Sequence, residues 1–237
     1  MKKLLTRVSI LLAISILLTG YYNNKITKAI SVRAKQNNSV KYNILQKKYQ
    51  VNNNGKNITI KYPQISGLSS AALQKCVNNL IKNRALEVLS RFSGNTKYTI
   101  TVENNISLST EKILSIKYTG LFSSPDTAYP TNLFYTSNIN LTNCKELSLK
   151  SIVRLDKNFI DTLKNSGTIV NSSSESKELL ASQKYILNNI SIDTLNLKSS
   201  YFYLTNDSIG ISIEVPHALG DHMEIEMTYK NAELIKF

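Results

Sequence analysis

Tryptophan is absent from this chain of 237 residues, and histidine and cysteine occur only twice each. Any chemistry that needs an imidazole therefore rests on His217 and His222, and any thiol chemistry on Cys76 and Cys144. There is no Gly-x-Ser-x-Gly elbow, no phosphate-binding glycine loop and no His-Glu-x-x-His. Those absences remove the sequence signatures of the serine hydrolases, the P-loop enzymes and the zinc proteases. Collagen-like periods, sustained heptads and low-complexity tracts are also missing over the bulk of the chain, which leaves a globular domain of ordinary size. Asn, Ser, Ile and Lys are abundant, a bias of AT-rich coding that carries no functional information.

Acidic residues are missing from residues 1–56, which hold eleven of the thirteen surplus positive charges. Residues 57–237 are left with a net charge of +2. A nucleic-acid binder carries its basic patch on the folded surface, so no nucleic-acid partner is expected. The basic stretch 23–56 is read as a linker, with Gly55 near its end. Two roles for it stay open: attraction to anionic membrane or wall polymers, or a solvated spacer.

Met1–Arg7 is short and basic, and Val8–Leu18 is apolar apart from serines, the layout of a secretory signal. The unbroken run is shorter than the roughly 20 residues of a spanning helix, although a start at Leu4 nearly reaches that length. Residues 1–22 are thus expected to be a signal peptide or an N-terminal membrane anchor, and the protein extracytoplasmic. Leu17-Leu18-Thr19-Gly20 resembles the start of a lipoprotein cleavage box, but Tyr21 follows where lipidation needs a cysteine. Export permits a disulfide. The placement of Cys76 on the apolar face of an expected helix nevertheless favours a buried free thiol, with Cys144 in a turn.

Ile58, Ile60 and Tyr62 alternate with polar neighbours and predict a strand ended by Pro63 and Gly67. Ser69 or Ser70 then caps a helix of about six turns reaching Phe92. Its apolar stripe is Leu73, Cys76, Val77, Leu80, Ala85, Val88, Leu89 and Phe92, with Arg84 on the same face and expected to snorkel outward. Period-two patterns at 98–103, 114–119 and 133–141 predict an antiparallel meander. Helices are expected near Asn158–Asn165 and Glu175–Asn189, then strands at 201–205, 209–215 and 223–229. Asp156 and Asp161 suit the start of a helix better than a catalytic pair. The order is not an alternation of strand and helix, so the expected class is α+β: antiparallel sheets with one long N-terminal helix and two further helices, in two lobes.

Tyr201-Phe202-Tyr203-Leu204-Thr205-Asn206-Asp207 and Ile213-Glu214-Val215-Pro216-His217-Ala218-Leu219-Gly220-Asp221 together resemble the C-terminal part of the RsiV-like extracytoplasmic domain. Tyr62-Pro63-Gln64-Ile65-Ser66-Gly67-Leu68 with the helix after it resembles the companion N-terminal module shared with PdaC-type peptidoglycan deacetylases. The resemblance implies modules at 57–145 and 146–237. It also implies a binding or accessory role in a bacterial cell envelope, with a lysozyme-like protein or peptidoglycan as partner. The sensing and deacetylase partners of those modules have no counterpart in this sequence, so no enzyme activity and no cofactor are expected.

One cluster invites chemistry. His217, Asp221 and His222 stand as His-x-x-x-Asp-His between two expected strands, and Glu224 or Glu226 offers a further ligand. Pro216 and Gly220 explain the same segment as a turn with structural polar contacts. The candidate ligand loop is therefore His217, Asp221 and His222, with Tyr129 from the aromatic set, and no metal is assigned. A cell-wall hydrolase using His217, Asp221 and His222 around a metal is the alternative reading.

Overall fold

A computed structural model describes residues 41–94, 97–170 and 177–232. The expected leader and the first part of the expected linker lie outside them, as do the turn residues 171–174. The rest of the linker is corrected: Asn43–Asn53 is a strand, β1, paired antiparallel along its whole length with β2 (Lys56–Ser66). Asn54 and Gly55 make the turn at φ 48° and 79°, the Asn-Gly chemistry of a two-residue hairpin. Tyr49 and Val51 are half buried on one face, but Lys47-Lys48 interrupts the alternation. Pro63 does not end β2. It pairs with Gln46 on β1 and lies beyond Ile60, where the pairing of β2 with β3 stops, so its missing N–H is not required by a second neighbour.

Helix α1 (Ala71–Leu86) starts at Ser70, whose hydroxyl accepts the Leu73 N–H at 3.2 Å. The single six-turn helix is not found. After Leu86 the Glu87 N–H bonds to the Arg84 carbonyl, three residues back, and a short turn α2 (Val88–Arg91) follows. The buried stripe is Val77, Ile81, Ala85 and Val88, rotated from the expected one, and this leaves Cys76 at the solvent edge. There Cys76 forms a disulfide with Cys144, Cα atoms 6.1 Å apart. The reading of two separate thiols is thus corrected: α1 packs against the sheet, and the turn at Cys144 (φ 55°) returns the chain to it.

The α1–α2 crossover makes β3 (Tyr98–Ser109) parallel to β2, so the sheet is mixed rather than purely antiparallel. β4 (Ile113–Ser123) and β5 (Thr131–Asn140) continue as the expected meander, and β6 (Lys145–Glu146) completes the order β1-β2-β3-β4-β5-β6. Asp156 then caps α3 (Lys157–Ser166) by accepting the Phe159 N–H at 3.0 Å. β7 (Thr168–Ile169), α4 (Lys177–Asn188) and α5 (Ile192–Asn196) follow. The chain closes with β8 (Tyr201–Leu204), β9 (Ser208–Glu214), β10 (His222–Thr228) and α6 (Tyr229–Ala232). The second sheet has the order β7-β10-β9-β8. The class is α+β.

Two apolar cores lie within one compact unit that takes in the described residues. One packs Val77, Ile81 and Ala85 of α1 on Ile60, Ile116 and Tyr118. The other packs Phe159, Ile160 and Leu163 of α3 on Ile211, Met223 and Ile225. Between them is a polar layer. β8 is an edge strand, and its free groups are met by side chains of the first sheet rather than by a further strand. The Phe202 carbonyl accepts from Thr136 Oγ1 (2.6 Å) and Asn138 Nδ2 (2.7 Å), and the Leu204 N–H donates to Ser115 Oγ (3.0 Å). Ser115 in turn donates to Asn138 Oδ1 at 2.6 Å. All three side chains are buried, as burial of hydrogen-bonded polar groups allows.

Candidate functional site

Two connections meet at one end of the polar layer. The β4–β5 loop is folded by local bonds such as the Thr127 N–H to the Ser124 carbonyl, 3.1 Å, and it presents Tyr129, 70% exposed. The β9–β10 connection is a 3₁₀ turn, His217–Leu219, closed by the Gly220 N–H on the His217 carbonyl at 2.9 Å. Gly220 and Asp221 both take positive φ, 98° and 69°, a region that Asp tolerates better than most side chains. That backbone aims the Asp221 carboxylate between the two loops. Oδ1 meets His217 Nδ1 at 2.8 Å, and Oδ2 accepts the Asn132 N–H at 2.7 Å and its amide Nδ2 at 3.1 Å. The Tyr129 ring lies roughly parallel to the His217 ring, centroids 6.0 Å apart.

The structure therefore brings Tyr129, His217 and Asp221 together and sends His222 elsewhere. The His222 imidazole stacks on Phe134 at 4.8 Å, with Nε2 3.6 Å from Glu224 Oε1. Among the described residues no group of three or more His, Cys, Asp or Glu side chains is arranged to share an ion. The two imidazoles flank Asp221 in sequence, but His217 sits on the turn and His222 on the strand, and the peptide between them changes direction. Asp161 pairs with Lys157 and Asp156 caps its helix, so these two carboxylates have separate tasks.

Behind His222 the second sheet turns its polar side to the first. Glu224, 5% exposed, meets Lys117 Nζ at 3.0 Å. Burial acts to raise its pKa, but the hydrogen bond from His222, the charge of Lys117 and the Tyr203 hydroxyl together hold the carboxyl below its ordinary value. Lys117 also lies over the Tyr203 ring, 4.3 Å from its centre. Burial, with Glu224 and Glu226 nearby, pushes the Tyr203 phenol far above its ordinary range, so it stays protonated and donates a hydrogen bond to Glu226 Oε1 at 2.8 Å. Gly210 faces that ring across the strand pair. A Cβ there would stand 2.1 Å from Tyr203 Cζ, so only glycine fits.

A cleft of about 540 Å³ opens between α2, the start of β5 and the edge of the second sheet. Its walls include Arg91, Phe134, Tyr201, Ser212, Glu214 and His222. Arg91 donates to the Tyr201 hydroxyl, and its guanidinium lies over the Tyr201 and Tyr135 rings at 5.6 Å each. A neighbouring cleft of about 400 Å³ contains Arg84. Arg84 does not snorkel outward: its Nε donates to the Thr136 carbonyl at 2.8 Å, and it pairs with Glu87 and Glu146. None of the cleft residues except His222 and Asp221 is singled out by the sequence. One available signal is the pair Arg84 and Arg91, a cation in the last turn of each of α1 and α2.

A mixed sheet and an antiparallel sheet with helices packed on each, joined by a polar layer, define an α+β module whose fold recurs in solved structures. A crystal structure of a DUF3298-family member from Bacteroides fragilis NCTC 9343 matches with a TM-score of 0.53 and 15% identity, over 83% of this chain and 96% of that one. A DUF3298-family protein from Pseudomonas aeruginosa PAO1 matches with a TM-score of 0.52 and 11% identity, over 83% of this chain and 94% of that one. DUF3298 denotes a domain of unknown function, and at these identities the likeness is one of fold. No family model matches the sequence, and no curated protein does.

Proposed function

We propose that this protein is an exported, non-catalytic binding module of the bacterial cell envelope, and that Tyr129 and His217 form its recognition surface. The observation that carries this reading is the Asp221 brace. Both carboxylate oxygens are committed, one to His217 and one to Asn132, so Asp221 ties the β9–β10 turn to the start of β5 instead of standing free as a base. What the brace leaves at the surface is an aromatic pair in a set geometry. Exposed aromatics held on a rigid scaffold bind at low entropic cost. The partner is a lysozyme-like protein or peptidoglycan, and the basic residues ahead of β2 favour anionic wall polymers or lipid by charge. The fold shared with DUF3298-family structures is compatible with an accessory module.

The test is capture by the full chain of lysozyme and of purified peptidoglycan sacculi, with wild type beside Tyr129→Ala/His217→Ala. Binding of one partner by wild type, weakened about tenfold or more in the variant, fits loss of interface aromatics. Failure to retain either partner, or equal retention by the variant, sinks the reading.

A further inference from the structure

We infer that the cleft between α2, β5 and the edge of the second sheet, which borders the Asp221 brace, is a small-ligand site, and that it takes an acidic sugar: a saccharide ring bearing a carboxylate. The inference does not need the Tyr129–His217 surface. Its volume of about 540 Å³ falls within the usual range for small-molecule pockets. The contents of the cleft specify the ligand in three ways.

The first is charge. Arg91 is exposed at the mouth of the cleft, and among the described residues its contacts are the Tyr201 hydroxyl and two aromatic rings, with no carboxylate. Arg84, one cleft away, is instead neutralised by Glu87 and Glu146. A guanidinium oriented by a phenol and lacking an anion is set for a carboxylate, which its fork of donors matches. Lys198 adds a second cation to the same wall; of the three carboxylates there, Glu87 is held by Arg84 and Asp221 by His217 and Asn132, which leaves Glu214.

The second is shape. The Phe134 ring stacks on His222 at 4.8 Å and is tilted against Tyr201 at 6.4 Å. Phe134 is itself only 5% exposed, so the half-buried Tyr201 ring supplies the apolar part of the wall, against which the C–H face of a sugar ring can lie. The third is hydrogen bonding. Ser212 is 1% exposed and lines the cleft, and its hydroxyl makes no hydrogen bond among the described residues. A buried hydroxyl left without a partner is costly, and a ligand hydroxyl satisfies it. Glu214, exposed on the same strand face, is an acceptor for others. An apolar ligand would leave Ser212 and Arg91 unmet, and a neutral sugar would leave Arg91 unmet.

The experiment is calorimetric titration of the full chain with two matched pairs of probes: glucuronate against glucose, and N-acetylmuramic acid against N-acetylglucosamine. The acidic member of at least one pair is expected to bind about tenfold or more tightly than its neutral partner. Arg91→Ala should weaken that binding about 10- to 100-fold, the worth of one charged hydrogen-bonding partner. Equal affinity for both members of each pair overturns the inference, as does unchanged binding in a folded Arg91→Ala protein. So does no heat from any probe at about 10 mM, well above the Kd of even a weak site. If Arg91→Ala melts out, Lys198→Ala takes its place: weaker binding of the acidic probe supports the site, and unchanged binding counts against it. Tyr129→Ala/His217→Ala should keep the acidic-probe binding that Arg91→Ala loses, so failure of this inference is distinguishable from failure of the recognition surface.

Discussion

Glu224 is a charge placed where charge is expensive, and its surroundings make it sensitive to acid. Burial alone would raise its pKa; the His222 hydrogen bond, the Lys117 charge and the Tyr203 hydroxyl outweigh that and lower it. A carboxyl that is more acidic in the folded chain than in the unfolded chain stabilises the fold above its ordinary value, here 4.5. That contribution is lost as pH falls through the lower folded value. Urea midpoints of the wild type should therefore drop as pH is taken below about 4.5. Glu224→Gln should start lower at neutral pH, because Lys117 is then buried beside a neutral amide, and should lose less on acidification. Parallel pH curves for the two proteins would show that Glu224 has no part in acid unfolding.

At the level of elements, period-two alternation revealed the strands but left open what covers their polar faces. Ser115 and Lys117 on β4, and Glu224 and Glu226 on β10, alternate with apolar residues. In the structure Lys117 meets Glu224 and Ser115 meets the Leu204 N–H from one sheet to the other, while Glu226 accepts from Tyr203 within its own sheet. Alternation reports that one face is apolar and is silent about what covers the other. The Tyr129, His217 and Asp221 cluster was legible because turn chemistry and imidazole both mark it. Arg91, Phe134 and Ser212 were not, because each belongs to a regular element and they meet only through sheet packing. The disulfide was hidden for a similar reason: spacing of three and four placed Cys76 inside the helix stripe, whereas inclusion of Ile81 rotates the stripe and turns Cys76 outward. The Cys76–Cys144 link spans 68 residues, and the chain-entropy model assigns a loop of that length about 4 kcal/mol. Cys76→Ser/Cys144→Ser should thus have a clearly lower denaturation midpoint, and reducing agent should lower the wild type toward it. A wild type insensitive to reductant under unfolding conditions would contradict the link.

The whole molecule poses a question of cooperativity, since it holds two apolar cores inside one compact unit. Two cores joined by loose surface contacts would unfold separately. Here the join is a buried polar layer in which the edge of the second sheet has its hydrogen bonds completed by the first: Ser115 to Leu204, and Thr136 and Asn138 to Phe202. Separating the sheets strands those groups, and each buried group left unpaired costs about 1–3 kcal/mol. The penalty couples the cores, because neither sheet keeps its partners when the other melts. Calorimetry on the wild type should accordingly give a single transition, with calorimetric and van't Hoff enthalpies in agreement. Thr136→Val/Asn138→Ala removes both donors to the Phe202 carbonyl while sparing both apolar cores. In that variant the transition should broaden or divide, with amide exchange rising first in β8, β9 and β10 and later around α1. A wild type that already melts in two steps, or a variant that shifts as one unchanged peak, would place the coupling elsewhere, with the Lys117–Glu224 pair the next contact to remove.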